Sequence, residues 1–133
     1  TSDLEQGDGT DVGATDTVTV LEASGTANFN DGSDIVVVVG ATFATTALLE
    51  TGLETGSRAL TVSSDLATAD GAGFLVLYSD GTDAYIAVAD IAAEKDNDLN
   101  FEANDLAITN ILKIAGVTSI AASDFADAEL DLI

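Results

Sequence analysis

One stretch of the chain specifies its local fold more tightly than any other, because it has the pattern of a β-hairpin. Residues 73–78 (GFLVLY) and 84–91 (AYIAVADI) are rich in aliphatic and aromatic side chains, which are typical of strands. Between them lies SDGTD, in which the dipeptide Asp80-Gly81 favours a tight turn. The sequence therefore predicts two antiparallel strands joined by this turn.

Three further strands are predicted before the hairpin. In two of them, around Val18 with Val20 and around Leu60 with Val62, apolar and polar residues alternate with the period of a half-buried strand. The third is an unbroken β-branched run whose lack of alternation indicates burial on both faces, at the centre of a sheet. The same composition suits docking onto another sheet edge, so its residues are also candidate assembly residues. They are Ile35, Val36, Val37, Val38 and Val39.

A helix is predicted within residues 41–55, where the apolar residues have helical spacing. Thr42 is the candidate N-cap and Gly56 follows the last apolar position, as helix stops often do. Gly52 lies inside the segment and should cost about 1 kcal/mol relative to alanine.

The last clear strand is predicted within residues 105–117, after an acidic stretch that we expect to be a loop. The strand pattern places four apolar residues on one face: Leu106, Ile108, Leu112 and Ile114. Lys113 would then lie on the opposite face, exposed to solvent or paired with a carboxylate of another subunit. A helical alternative is weaker and uses Leu106, Asn110, Ile111 and Ile114.

These elements together predict a mainly β protein, an antiparallel β-sandwich or β-roll with one short helix. Residues 1–15 are expected to form a flexible acidic arm, and residues 16–133 a single β-rich domain. The chain has no proline to interrupt strand pairing. A hydrophobic fraction of 47% in 133 residues is enough material for a core.

The net charge of the chain limits which kinds of molecule can bind to it. The chain has 24 Asp and Glu against 3 Lys and Arg, for a net charge of −21. Such a surface repels nucleic acid and anionic lipid, and no apolar run is long enough to span a bilayer. We therefore expect neither nucleic-acid binding nor membrane insertion, and the predicted partners are divalent cations and copies of the chain itself.

The residue types also argue against an enzyme. The chain has no His and no Cys, which excludes the common nucleophile systems and the usual zinc, haem and iron–sulfur ligands. Two carboxylates suffice for glycoside hydrolysis, but with no Trp, only Tyr78 and Tyr85 remain to stack on a sugar.

Calcium is the predicted cofactor. The sequence Asp-Gly-(Thr/Ser)-Asp occurs three times and combines hard oxygen ligands with a glycine turn, which suits Ca²⁺. The alternative is ordinary turn chemistry, or halophilic solubility without any specific site. An EF-hand loop is not present: counted from Asp96, Asp98 and Asn100 occupy early ligand positions, but Phe101 and Ala107 replace the required glycine and bidentate acid. The candidate ligands are Asp8, Asp11, Asp31, Asp34, Asp80, Asp83, Asp96 and Asp98.

About residues 72–125 resemble the C-terminal region of bacterial proteins exported by type I secretion, including hemolysin-type calcium-binding proteins, adhesins and surface-layer proteins. The resemblance lies in the Tyr-bearing strand with its Asp-Gly turn, the segment ILKIAGV and the segment TSIAASDF. The tandem calcium nonapeptides of that family are missing.

The resemblance implies export to the surface or surroundings of a bacterial cell, directed by the C-terminal region. Together with the residue types it leads us to expect a secreted, non-enzymatic structural protein that self-assembles as a surface-layer or filament subunit, with Ca²⁺ at subunit contacts. The alternative is a secretion and folding module at the end of a larger toxin, enzyme or adhesin.

Overall fold

The computed structural model describes residues 19–29, 33–62, 73–91, 101–121 and 123. These ranges hold seven strands and one helix in this order: β1 Val20–Ala23, β2 Ala27–Phe29, β3 Ile35–Val38, α1 Thr46–Glu54, β4 Leu60–Val62, β5 Gly73–Ser79, β6 Ala84–Ile91 and β7 Leu106–Ile114. The predicted helix, the predicted hairpin and the strands at β1, β3, β4 and β7 are confirmed, whereas β2 was not predicted. The expected arm at residues 1–15 lies outside the described ranges.

Five of the strands form one mixed sheet in the order β1-β3-β5-β6-β7. The strands β1, β3 and β5 run parallel, and β6 and β7 continue the sheet as antiparallel neighbours. The mainly β prediction is confirmed, but the prediction of an antiparallel sheet is wrong for the first three strands. Parallel neighbours need a crossover, and α1 and β4 lie in the crossover from β3 to β5. The described residues do not confirm a sandwich or a roll.

The two remaining strands, β2 and β4, pair in parallel as a short ribbon. Ala27 lies opposite Leu60, and the Thr61 hydroxyl donates to the carbonyl oxygen of Ala27 at 3.3 Å. The ribbon joins the two crossovers of the parallel part of the sheet, because β2 lies between β1 and β3 and β4 lies between β3 and β5.

The main hydrophobic core lies on one face of the five-stranded sheet, which we call the first face. Leu49 and Leu53 of α1 are completely buried in this core. Three aromatic rings join it, Phe29, Phe74 and Phe101, with centroids 4.7 to 6.4 Å apart. The helix and the β2–β4 ribbon thus supply the residues that cover this face.

A smaller cluster lies on the opposite, second face. It contains Ile35 and Val37 of β3, Leu77 of β5 and Ala84 of β6, with Ile120 from the segment after β7. Because alternate residues of β3 enter the two clusters, that strand is buried on both faces, as its unbroken apolar pattern predicts.

The helix begins later than predicted. Thr45 is the N-cap, and its hydroxyl oxygen accepts from the N–H of Leu48 at 3.3 Å, so the prediction of Thr42 as the cap is wrong. Gly52 is buried because the ring of Phe43 occupies the space where a Cβ would lie. Within the described ranges, no helix has the length and apolar character needed to cross a bilayer.

The strand β7 is an edge strand with a bulge. Ala87 of β6 lies opposite Asn110, but the next residue back, Ile86, lies opposite Leu112. Ile111 is therefore an extra residue, and the alternation of side chains shifts by one position at this point. The strand prediction for this segment is confirmed and the helical alternative is wrong.

The bulge overturns the prediction that four apolar residues of β7 share one face. Leu106 and Ile108, before the bulge, are buried in the first-face core. Leu112 and Ile114, after it, pair with residues of the second face and are 52% and 36% exposed. The sheet edge therefore exposes apolar side chains that a regular strand would have buried.

Candidate functional site

The turn between β5 and β6 is built around the carboxylate of Asp80. Its Oδ1 accepts from the N–H groups of Thr82 and Asp83, both at 2.8 Å, and its Oδ2 accepts from the Tyr85 hydroxyl at 2.8 Å. Gly81 has a φ of +93°, a backbone conformation that glycine adopts without a steric penalty. This sequence forms a turn because an aspartate side chain readily accepts hydrogen bonds from backbone N–H groups two or three residues later.

The second aspartate of the turn, Asp83, reaches across to the end of β7. Its Oδ1 accepts from the N–H of Gly116 at 2.8 Å, and its Oδ2 forms an ion pair with Lys113 Nζ at 2.6 Å. The Lys113 side chain is 55% exposed, and its Nζ lies 5.9 Å from the centre of the Tyr85 ring. The predicted solvent exposure of Lys113 is confirmed. The carboxylate that pairs with it, Asp83, belongs to the same chain and not, as the alternative predicted, to another subunit.

Ser79 connects the same turn to the chain after β7. Its buried hydroxyl donates to the carbonyl oxygen of Thr118 at 2.8 Å and accepts from the N–H of Gly81 at 2.9 Å. With Asp83 bound to the Gly116 N–H, the turn holds the segment that follows β7 at two points. The turn thus fixes the position of the carboxyl-terminal end of β7.

These contacts shift the pKa of each group in a definite direction. Backbone N–H donors, with that of Asp83 first, lower the pKa of Asp80, and the Lys113 ammonium is the main cause of the lowered pKa of Asp83. The same ion pair raises the pKa of Lys113, and the hydrogen bond to Asp80 raises that of Tyr85. Burial raises the pKa of Tyr78, whose hydroxyl donates to Asn110.

The structure brings two predicted calcium ligands together, Asp80 and Asp83, and engages all four of their carboxylate oxygens with N–H, O–H or ammonium donors. Asp34 lies elsewhere, beside the beginning of β5, and its Oδ2 accepts from the N–H of Thr19 at 2.7 Å. The described part of the chain contains no group of three or more acidic residues arranged to share a metal ion. The other predicted ligands lie outside the described residues: Asp8, Asp11, Asp31, Asp96 and Asp98. Calcium binding stays a prediction.

The candidate assembly residues Ile35 to Val38 form β3, which has a paired strand on both sides. The prediction of a central strand is confirmed for these four residues. Val39 follows the strand and is half-buried against the second-face cluster. Docking onto another copy through this run would require the sheet to open at β3.

A different segment presents apolar side chains to solvent. Four of the five exposed large hydrophobic residues among those described lie within or just after the second half of β7. They are Ile111, Leu112, Ile114 and Val117, which are 60%, 52%, 36% and 36% exposed, and we call them the β7 patch. The fifth is Leu48, on α1.

The β7 patch lies in the longest part of the chain without a carboxylate. Residues 106–123 contain no Asp or Glu and one Lys, in a chain that carries 24 acidic residues. This acid-free stretch is the sequence signal that distinguishes the patch. Periodicity alone did not find it, because the strand pattern assigned Leu112 and Ile114 to a buried face.

The first half of β7 has its outer edge closed by the helix. Glu54 Oε1 accepts from the N–H of Leu106 at 3.0 Å, and Glu50 Oε1 accepts from the N–H of Ile108 at 2.8 Å. The two glutamates line a groove between α1 and β7. Their carboxylates satisfy backbone donors that would otherwise face solvent at the edge of the sheet.

The chain matches no family model, no curated protein and no solved structure. The similarity of residues 72–125 to type I-secreted proteins therefore stays a prediction from the sequence.

Proposed function

We propose that the chain is a non-enzymatic, secreted structural protein that self-assembles at the bacterial cell surface or in the extracellular matrix, as a surface-layer or filament subunit. The observation that carries this proposal is the β7 patch. Its apolar side chains lie at the β7 edge of the sheet, where no other described strand pairs, and the hydrogen-bonded turn at Asp80 and Asp83 holds the end of β7 in place. Exposed apolar surface of this kind marks sites of protein association.

Charge favours a second copy of the chain as the partner. Two copies with a net charge of −21 repel one another over most of their surfaces. The acid-free stretch that contains the β7 patch is where this repulsion is weakest, since its one charged side chain, Lys113, is already paired with Asp83. Self-association is therefore most favourable where the two acid-free segments meet.

The size of the β7 patch limits how strong the contact can be. Complete burial of a Leu or Ile stabilises by about 1.5–3 kcal/mol, so the remaining exposed part of each patch residue contributes on the order of 1 kcal/mol. The cost of association is roughly 4–15 kcal/mol. Side-chain burial from two patches is comparable with that cost, and a stable assembly needs further contacts, such as main-chain hydrogen bonds or bound cations.

Secretion and calcium belong to the same proposal and are supported by the sequence. The resemblance of residues 72–125 supports export, and the absence of cysteine agrees with a secreted protein that depends on no disulfide. Divalent cations would relieve the repulsion between carboxylates of adjacent subunits, and Ca²⁺ is the cation that Asp-rich loops prefer.

The test is sedimentation velocity and negative-stain microscopy of the purified chain in chelator, in millimolar CaCl₂, and in NaCl matched for ionic strength. We expect ordered assemblies with Ca²⁺ and smaller or no assemblies in the matched NaCl. Assemblies in all three buffers would retain the structural role and remove Ca²⁺ from it. A chain that stays monomeric at high concentration in every buffer would contradict the proposal and favour a secretion module of a larger protein.

A further inference from the structure

We infer that the second half of β7, residues 110–114, pairs antiparallel with the same segment of a second copy. The two five-stranded sheets would then join edge to edge into one ten-stranded sheet. This inference rests on the proposed function and names the contact through which self-assembly begins.

The outer edge of β7 is divided into two parts. Alternate N–H groups of a strand point to the same edge, so Leu106 and Ile108, whose N–H groups bond to Glu54 and Glu50, mark the edge that faces away from β6. In this first half the edge is closed by α1. A second copy cannot pair there without displacing both glutamates.

The helix α1 does not extend along the second half of β7. From Asn110 to Ile114, no described residue donates or accepts a hydrogen bond at the outer edge. This is also where the bulge turns Leu112 and Ile114 outward. Unpaired main-chain groups and exposed apolar side chains therefore occupy the same few residues, which is what strand addition to a sheet edge requires.

Charge favours β7 of the second copy as the partner edge. A twofold axis brings identical segments together in antiparallel orientation, so each acid-free strand meets another acid-free strand. The other edge strand of the sheet, β1, carries the exposed Glu22. If β1 of a second copy paired with β7, the Glu22 carboxylate would lie beside the β7 patch. It would find no free cation there, because Lys113 is already bound to Asp83. The β7–β7 contact is therefore favoured over a contact between β7 and β1.

The experiment compares the unmodified chain with Leu112→Lys and with Leu48→Lys as the matched control. Both leucines are about half exposed, 52% and 55%, but Leu48 lies on α1, outside the β7 patch. Sedimentation velocity over a concentration series should show a dimer whose dissociation constant rises at least tenfold in Leu112→Lys and is unchanged in Leu48→Lys. Circular dichroism checks that each variant is folded, and Ile111→Lys replaces Leu112→Lys if that variant is not.

Amide hydrogen exchange on the unmodified chain tests the pairing itself. Amides in residues 110–114 should become protected as the concentration rises, whereas those of Leu106 and Ile108 should be protected at every concentration. A dimer without this protection would overturn edge pairing, and so would a dimer that Leu112→Lys leaves intact, with self-assembly standing in both cases. A monomer at every concentration would overturn the self-assembly proposal as well, and a lower thermal midpoint of Leu112→Lys in that monomer would show that a segment of the same chain covers the patch.

Discussion

At the scale of single residues, the Asp80 carboxylate accepts hydrogen bonds from several groups of the turn and so stabilises its conformation. Three donors converge on its carboxylate, and the neighbouring Asp83 links the turn to Lys113 and Gly116. Each of these contacts favours the ionised carboxylate, so the network needs both aspartates to be charged. Its strength should therefore depend on pH in a predictable direction.

We predict that Asp80→Asn lowers the thermal midpoint at neutral pH and that this difference disappears in acid. The pKa of Asp80 in the folded chain lies below its ordinary value of 3.8, so its contribution is complete above that value and is lost as pH falls through the folded pKa. The measurement is thermal unfolding of both proteins from about pH 7 to about pH 2. At the alkaline end the network should also weaken, because Lys113 and Tyr85 have raised pKa values and lose their protons as pH rises through them.

Asp90→Asn is the control for the Asp80 experiment, because Asp90 is an exposed carboxylate on β6 and the substitution removes the same charge. Its midpoint should stay close to that of the unmodified chain at each pH. If Asp80→Asn and Asp90→Asn behave alike, the turn network contributes nothing beyond general charge, and Asp80 does not stabilise the fold through its hydrogen bonds.

The sequence could predict the turn but not its contacts with the distant end of β7. Asp80 and Gly81 have a local signature, because the hydrogen bonds that close the turn involve residues two and three positions away. The contacts of Asp83 with Lys113 and Gly116 span about thirty residues of sequence and depend on how β7 pairs with β6. No local pattern specifies such a pairing, so the sequence offered a carboxylate of another subunit as the alternative to solvent exposure, and did not identify Asp83.

At the scale of secondary structure elements, the position of Gly52 in α1 is explained by packing rather than by helix propensity. Propensity alone predicts that alanine at this position would stabilise the helix by about 1 kcal/mol. In the structure a Cβ at Gly52 would overlap the ring of Phe43, which packs against the helix. Overpacking a buried site costs about 1–3 kcal/mol, so the steric effect exceeds the gain in propensity.

We therefore predict that Gly52→Ala lowers the free energy of unfolding, by about 1 kcal/mol, as measured by urea denaturation. Gly25→Ala is the control, because a Cβ there would meet no atom within 4 Å, and its effect should be small. In a Phe43→Ala background the overlap is absent, and Gly52→Ala should become neutral or stabilising. A gain in stability in the unmodified background would show that the Phe43 ring moves aside at little cost.

Two of the errors at the element scale, the antiparallel sheet and the shared apolar face of β7, have clear physical causes. The unbroken run at β3 predicts burial on both faces, which is typical of parallel sheets, and a helix before the next strand is typical of a parallel crossover. The antiparallel prediction rested instead on the hairpin of β5 and β6, which determines the direction of only its own two strands. The bulge at Ile111 could not be predicted, because one extra residue leaves the apolar alternation of the sequence unchanged while reversing which face is buried.

At the scale of the whole molecule, charge and apolar surface are distributed unequally. Acidic residues occur through most of the chain, yet residues 106–123 have none and include the whole β7 patch. The fold places this stretch at the edge of the sheet rather than in its centre. In the proposed assembly, repulsion and attraction between copies would act on different parts of the surface, which would favour a defined contact over unspecific aggregation.

Net charge should also control the stability of the single chain. The Debye length falls from about 30 Å in 0.01 M salt to about 3 Å in 1 M salt, so repulsion across the molecule is strong at the first concentration and nearly absent at the second. We predict that the thermal midpoint rises by at least about 5 °C between these NaCl concentrations at neutral pH, which corresponds to roughly 1–2 kcal/mol for a chain of this size. Using Leu112→Lys at low protein concentration keeps self-association out of the measurement.

The same salt series at about pH 4 is the control, because many carboxylates are then protonated and the rise should shrink. A midpoint that does not respond to NaCl at neutral pH would show that the carboxylates lie too far apart to repel one another. Replacing NaCl by CaCl₂ at equal ionic strength then separates screening from binding. Since the Debye length is the same at equal ionic strength, a higher midpoint in CaCl₂ means that folded molecules bind Ca²⁺ in preference to unfolded ones. Equal midpoints would leave the acidic surface with a general, halophile-like role.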